Sequence, residues 1–93
     1  MIKTFRDVET QAIFETQRTR KFPQEMLGGA VRKLQALNAA ETIADLKYPS
    51  SNNLEMLYKE RAGQWSIRIN RQYRVCFEWL DGNAYNVEIT DYH

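Results

Sequence analysis

From position 63 to the last residue the chain reads GQWSIRINRQYRVCFEWLDGNAYNVEITDYH, three runs in which apolar residues occupy every second position. Trp65, Ile67 and Ile69 form the first set, Tyr73, Val75, Phe77 and Trp79 the second, and Tyr85, Val87 and Ile89 the third. A period of two marks half-buried strands and does not fit a helix. It also fixes register, because a slip of one residue would turn a whole apolar set toward water. For the first two sets to share a face, residue 69 must lie opposite 73, which leaves Asn70-Arg71-Gln72 as the loop. The same rule sets 77 opposite 87, with Asp81-Gly82-Asn83 as the second loop and Gly82 able to take positive φ.

That register also predicts the other face of the sheet. Arg68 falls opposite Arg74, Arg74 opposite Thr90 and Cys76 opposite Glu88, with Tyr92 continuing beside Arg74. Like charges placed directly opposite one another destabilise a bare sheet. Two readings fit: an ordinary exposed face with Arg74 paired to Glu88, or a site where an anion sits between two guanidiniums.

The earlier part of the chain reads as support. Residues 1–6 predict a short opening strand with Ile2 and Phe5 turned inward. Asp7 is placed to cap a helix over 8–17, with Val8, Ala12 and Ile13 on one side. The basic cluster Arg18, Arg20 and Lys21 follows, either a solvated turn or a phosphate-facing rim. Pro23 suits the first turn of a second helix reaching about residue 38. Met26, Leu27, Ala30, Val31, Leu34 and Leu37 give that helix one apolar stripe. Gly28-Gly29 within it predicts close packing against a neighbour, since glycine costs a helix about 1 kcal/mol relative to alanine. Residues 41–46 predict one more helical turn, and 48–53 a loop. A short strand over 54–59 is expected to turn Leu54, Met56 and Tyr58 to one face. The order strand, two helices, four strands predicts an α+β, two-layer sandwich, with the N-terminal strand and two helices packed on one face of a mainly antiparallel sheet.

Ninety-three residues suffice for one domain with one core, spanning 1–93. Basic and acidic residues nearly cancel, 13 against 12, so overall charge does not point to a nucleic-acid partner; only local clustering can. A single cysteine excludes an internal disulfide and favours a reducing compartment. No apolar run is long enough for a membrane span and the N-terminus lacks a secretory h-region, so no membrane partner and a cytoplasmic location are expected. One Cys and one His, without HExxH or CxxC spacing, predict neither a metal site nor a cofactor.

The arginine face remains as the carrier of chemistry. Arg offers a planar fork of donors that grips phosphate and keeps its charge at any working pH. Beside a tyrosine and a histidine, two arginines suffice for metal-free RNA cleavage, in which a ribose 2′-hydroxyl attacks the adjacent phosphorus. Such a site needs a base, positive donors for the charge developing on phosphorus, and an acid for the leaving oxygen. Arg68 and Arg74 suit the phosphate; Tyr92 or His93, the latter with an ordinary imidazole pKa near about 6.5, suit the proton transfers.

The opening MIKTF, the helix end RKLQALNAA, the block RAGQWSIRINRQYRVCFEW and the terminal NVEITDYH resemble the HigB/GraT toxins of bacterial type II toxin–antitoxin systems, in the RelE/ParE superfamily. The resemblance covers nearly the whole chain, and its last two blocks are the specific ones. It implies a ribosome-dependent mRNA endonuclease that cuts codons in the A site and arrests growth. It also implies a helix-turn-helix antitoxin of the HigA type, through which alone operator DNA would be bound. Carried over by motif, the arginine of IRIN is Arg68, that of QYR is Arg74, and DYH is Asp91, Tyr92 and His93. A basic residue before the Trp strand is expected as well, with Lys59 and Arg61 both eligible, and Arg71 in the following turn as a further RNA contact. Two alternatives share the resemblance: a ParE-like gyrase poison, and a catalytically silent chain that only binds its antitoxin.

Overall fold

The computed structural model describes residues 1–91. Two helices, α1 (Val8–Thr16) and α2 (Gln24–Ala39), pack on one face of a four-stranded antiparallel sheet of order β1-β2-β3-β4. The strands are β1 (Glu55–Met56), β2 (Gln64–Arg68), β3 (Tyr73–Leu80) and β4 (Asn83–Asp91). Helix α1 starts where the sequence predicts, with the Asp7 carboxylate accepting from the Thr10 N–H at 3.0 Å. It stops at Gln17, whose left-handed φ of 59° closes the C-terminal turn.

The α2 stripe is realised: Met26, Ala30, Leu34 and Leu37 are buried against Ile67, Val75, Phe77, Val87 and Ile89 of the sheet. Ile13 joins them from α1, whereas Val8, expected on the same side, is exposed. The diglycine divides in function. A Cβ on Gly29 would come within 3.3 Å of Ile69 Cγ2, so that glycine does mark a close approach. A Cβ on Gly28 would meet only the end of the Arg32 side chain on its own helix.

Register on the β2–β3 side is as predicted, with Ile67 opposite Val75 and Arg68 opposite Arg74. The β3–β4 hairpin differs from expectation in its turn. Leu80 pairs with Asn83, so the loop is the two-residue Asp81-Gly82, with φ of 52° and 79°. Two positive φ angles in succession give the type I′ geometry that matches strand twist. The parity is restored by a bulge between Cys76–Glu88 and Glu78–Tyr85, where Asn86 takes a φ of 52°. As a result Ala84 and not Tyr85 faces the core, and Tyr85 joins the arginine face.

Residues 1–6 do not form a regular strand. They run parallel to β4 through isolated bridges at Ile2–Ala84 and Phe5–Val87, with Lys3, Arg6, Ala84 and Val87 donating backbone bonds of 2.8–3.1 Å across the join. The Ile89 N–H, further along the same edge, donates to the buried Thr10 hydroxyl at 3.0 Å. This edge of the sheet is thereby satisfied, not open for pairing.

At the opposite edge the predicted 54–59 strand shrinks to two residues. Of the three residues expected on one face, Leu54 packs partly against the core while Met56 and Tyr58 are exposed, and Leu57 is the buried residue. The helices lie over β3 and β4, so an inward-pointing side chain on β1 finds no layer above it. The segment before β1 forms short 3-10 turns at Ile43–Lys47 and Ser50–Asn52. The buried Asn52 amide anchors them, donating to the carbonyls of Leu46 and Tyr48 and accepting from Lys33 Nζ. Among the described residues no helix is long and apolar enough to cross a membrane.

Candidate functional site

The face of the sheet turned away from the helices is built by alternation. Gln64, Ser66 and Arg68 come from β2, Arg74, Cys76 and Glu78 from β3, and Tyr85, Glu88 and Thr90 from β4. Glu55 of β1 lies opposite Ser66. The face is densely made: Ser66 and Cys76 are fully buried on it, and Arg74 is only 6% exposed.

Arg74 is the centre of the arrangement. Its Nε donates to Ser66 Oγ at 2.8 Å, and its Nη2 to the carbonyl of Asn53 at 2.6 Å and to that of Ser66 at 3.3 Å. The Asn53 carbonyl is aimed there because that residue adopts a left-handed φ of 47° at the end of the turn anchored by Asn52. The Glu55 carboxylate lies 4.0 Å from the same Nη2. Glu55 and Asn53 are missing from the sequence reading. Neither belongs to a motif, and only the antiparallel pairing of β1 with β2 carries them to Arg74. A carboxylate opposite Ser66 was in principle legible, had the short edge strand been read in the right register.

Arg68, the register partner of Arg74, behaves differently. It is exposed, and its Nε donates to the Asn70 carbonyl at 3.0 Å, which folds it toward the β2–β3 turn. The like charges are thus separated in depth. Arg74 is sunk among oxygens of Ser66 and Asn53 while Arg68 stays in solvent, which relieves the repulsion that pairing would impose. The turn is held by Asn70, whose side-chain oxygen accepts from the N–H groups of Gln72 and Tyr73, both at 2.8 Å. It presents Arg71 to solvent, and Gln72 donates to Asp91 at 2.9 Å.

The Arg74–Glu88 pair of the ordinary-face reading is not what forms. Glu88 accepts instead from Arg61 Nη1 at 2.7 Å and from Arg6 Nε at 3.2 Å. Of the two eligible basic residues before the Trp strand, Arg61 is therefore engaged with Glu88 and with Gln64 at 3.1 Å. Lys59 is exposed in the same 3-10 turn (Lys59–Arg61), at a φ of 59°. A lysine in that left-handed region is uncommon and costs backbone energy. Burial pushes the Cys76 thiol above its ordinary pKa, with the Thr90 hydroxyl and nearby guanidiniums opposing the shift, which disfavours the thiolate a nucleophile requires. Tyr92 and His93, the expected proton carriers, lie outside the described residues.

The basic cluster after α1 sits on the helix layer. Phe22 packs edge-on against Tyr73 with ring centroids 5.6 Å apart, which places the cluster near the end of the sheet that carries the β2–β3 turn. Arg18 and Arg20 line a shallow groove with Val8 and Ala12, apart from the arginine face.

Compared with known families, residues 3–93 match the profile of the RelE-like toxin of type II toxin-antitoxin system HigB. The chain belongs to that toxin family. Among curated relatives, Toxin HigB-1 of Vibrio cholerae serotype O1 is 38% identical over 87 residues, covering 92% of each chain. Endoribonuclease HigB of Proteus vulgaris is 31% identical over 93 residues and covers both chains completely. Among solved structures, the YoeB-YefM complex from Staphylococcus aureus contains a chain of the same fold, with a TM-score of 0.61 at 14% identity over 100% of this chain and 98% of that one. The HigB-type toxin fold thus frames a face whose fixed centre is Arg74, with Arg68 exposed on it and Lys59 and Arg71 exposed in the turns before and after β2.

Proposed function

We propose that this chain is the toxin of a HigBA-type module and acts as a ribosome-dependent mRNA endonuclease, cutting codons in the A site in the cytoplasm. The observation that carries the reading is the pairing of Arg68 with Arg74 on one face, with Arg74 locked by Ser66 and Asn53 and a carboxylate, Glu55, beside it. The relative named an endoribonuclease, aligned over the full chain, supports it.

In this reading the exposed Arg68 grips the scissile phosphate, and Arg74 beneath supplies fixed positive charge for the electrons gathering on the phosphoryl oxygens. Donors held before the reaction need no reorganisation during it, which is the source of their effect. The 2′-hydroxyl gives its proton to a base, its oxygen bonds to phosphorus, and the P–O5′ bond breaks as an acid protonates the departing oxygen. The products are a 2′,3′-cyclic phosphate and a 5′-hydroxyl end. Glu55 joins Tyr92 and His93 as a candidate for these proton transfers. Lys59 and Arg71 extend phosphate contact along the strand. With a net charge of +1 the chain holds free RNA weakly, since phosphate neutralisation supplies most sequence-independent affinity, so the ribosome must present the substrate. A HigA-type helix-turn-helix antitoxin neutralises the toxin and alone carries the complex to operator DNA; solved chains of the same fold in toxin–antitoxin complexes support an antitoxin partner.

Primer extension on a reporter mRNA translated in a purified system tests this, with wild type beside Arg68→Ala and Arg74→Ala. Cuts within codons that require ribosomes and vanish in both variants are expected. A folded wild type that makes no cuts, or cuts naked RNA equally well, would overturn the reading; inhibition of purified gyrase would then point to the ParE-like alternative.

A further inference from the structure

The turn at residues 58–63 carries Lys59 but has no buried residue of its own. Its local backbone bonds, Arg61 N–H to the Tyr58 carbonyl at 3.3 Å and Ala62 N–H to the Lys59 carbonyl at 3.0 Å, shape it without attaching it to the sheet. Gly63 at a φ of 91° and Lys59 at 59° leave it in a conformation that most residues avoid. A turn so poor in apolar contact opens readily unless a polar tie restrains it.

That tie runs through Arg61 to Glu88. Glu88 stands on β4, two strands away from the start of β2, and its side chain is only 15% exposed. Its two oxygens are divided between two guanidiniums: Oε1 takes Arg61 at 2.7 Å and Oε2 takes Arg6 at 3.2 Å. The Thr90 hydroxyl is 3.4 Å from Oε1. Arg6 also reaches toward Glu78 at 4.0 Å, and Glu78 is held by the Asn86 amide at 2.9 Å. Charge-assisted bonds of this length are stronger than neutral ones, and here the carboxylate is mostly covered while the guanidiniums keep contact with solvent. One carboxylate thus fastens the N-terminal segment and the Lys59 turn to the same strand of the arginine face.

We propose that Glu88 is a positioning residue, which through Arg61 clasps the 58–63 turn and so holds Lys59 at the border of the arginine face to receive an RNA phosphate. The RNA half of this proposal rests on the nuclease reading above; the clasp does not. Arg61 acts as a tether in this arrangement, and Lys59 is the member of the pair that meets the substrate.

The test combines two readouts on the full chain. Hydrogen exchange of the 58–63 amides, with trypsin sensitivity after Lys59, reports the turn directly. Glu88→Gln and Arg61→Gln should each speed both by about tenfold, the expected consequence of losing one charged hydrogen bond. Their double variant should be faster than either alone by clearly less than the product of the two effects, since the two residues share one contact besides those each makes elsewhere. Arg6→Gln leaves the Arg61–Glu88 bond in place and should leave the turn unchanged, separating the clasp from general loss of charge on this face. The second readout is ribosome-bound mRNA cleavage. Glu88→Gln should raise the half-saturating ribosome concentration by about tenfold with little change in the saturated single-turnover rate. Lys59→Ala should weaken binding in wild type and have no further effect in Glu88→Gln. Unchanged exchange at 58–63 in Glu88→Gln would overturn the clasp, as would acceleration by Arg6→Gln equal to that by Arg61→Gln. Lys59→Ala acting equally in both backgrounds would overturn the positioning role. A loosened turn in a protein that cuts no RNA would retain the clasp and refute the nuclease reading instead.

Discussion

Ser66→Ala is the smallest change that reaches the heart of the arginine face. The Ser66 side chain is fully buried, and its hydroxyl accepts from Arg74 Nε at 2.8 Å. The substitution removes one oxygen and its proton, alters no apolar packing of consequence and suits an extended strand poorly only by a small propensity term. What it leaves is an Arg74 N–H, 6% exposed as a residue, facing a methyl group. A hydrogen bond to a charged group contributes about 1.5–3 kcal/mol, and the relief of no longer burying a hydroxyl returns a fraction of that, so a net loss of about 2 kcal/mol is expected. For a domain of this size that corresponds to a fall in Tm of roughly 10 °C. In urea the midpoint should drop by about 1–2 M with the slope unchanged. Single-turnover cleavage on the ribosome should slow by about tenfold to a hundredfold, because a guanidinium displaced by a fraction of an ångström no longer meets the developing charge. The decisive form of the assay is a double-mutant cycle with Arg74→Met, measured by urea unfolding. If the hydroxyl matters through Arg74, Ser66→Ala should cost less than about 0.5 kcal/mol once the guanidinium is gone. An equal loss in both backgrounds would refute the reasoning, since it would assign the stability of Ser66 to the strand and not to the arginine.

Three other perturbations have clear directions. Lys59→Gly relieves a left-handed φ of 59° and should raise stability by up to about 1 kcal/mol in thermal unfolding while weakening ribosome-dependent cleavage, so that stability and activity move oppositely. Gly28→Ala should stabilise α2 by about 1 kcal/mol, because its Cβ meets only the flexible end of Arg32; Gly29→Ala, pressed to 3.3 Å from Ile69, should gain distinctly less or lose stability in the same denaturation assay. Cys76 should react with an aromatic disulfide reagent far more slowly than a free thiol at pH 8 and at the ordinary rate in denaturant, because burial raises its pKa and withholds the thiolate.

Much of this molecule is written locally. The alternation of Trp65, Ile67 and Ile69 against Tyr73, Val75 and Phe77 determined the β2–β3 register, and with it the placing of Arg68 opposite Arg74, because only one parity buries both apolar sets. Asp7 determined the start of α1, since a side chain that caps the first turn does so from its own position in the chain. Parity alone did not decide the β3–β4 hairpin. A three-residue loop and a two-residue turn with a bulge satisfy it equally, and the structure uses the second, with Asn86 absorbing the extra residue and Tyr85 moving to the other face. The 54–59 segment, expected as one strand, shortens to two residues for a related reason. Alternation reports two sides of a strand, but whether a side is covered depends on where the helices lie. Partner choice among charges was decided only by the tertiary structure. Glu88 lies beside Cys76 by register, yet takes Arg61 and Arg6 because a turn and an N-terminal segment remote in sequence are folded onto it. Arg74 likewise finds Asn53 and Glu55 only because β1 docks on β2. Hydrophobic periodicity is a property of neighbouring residues and can be read from the chain, whereas a long charged side chain reaches several competing partners, and which one it meets is settled by packing.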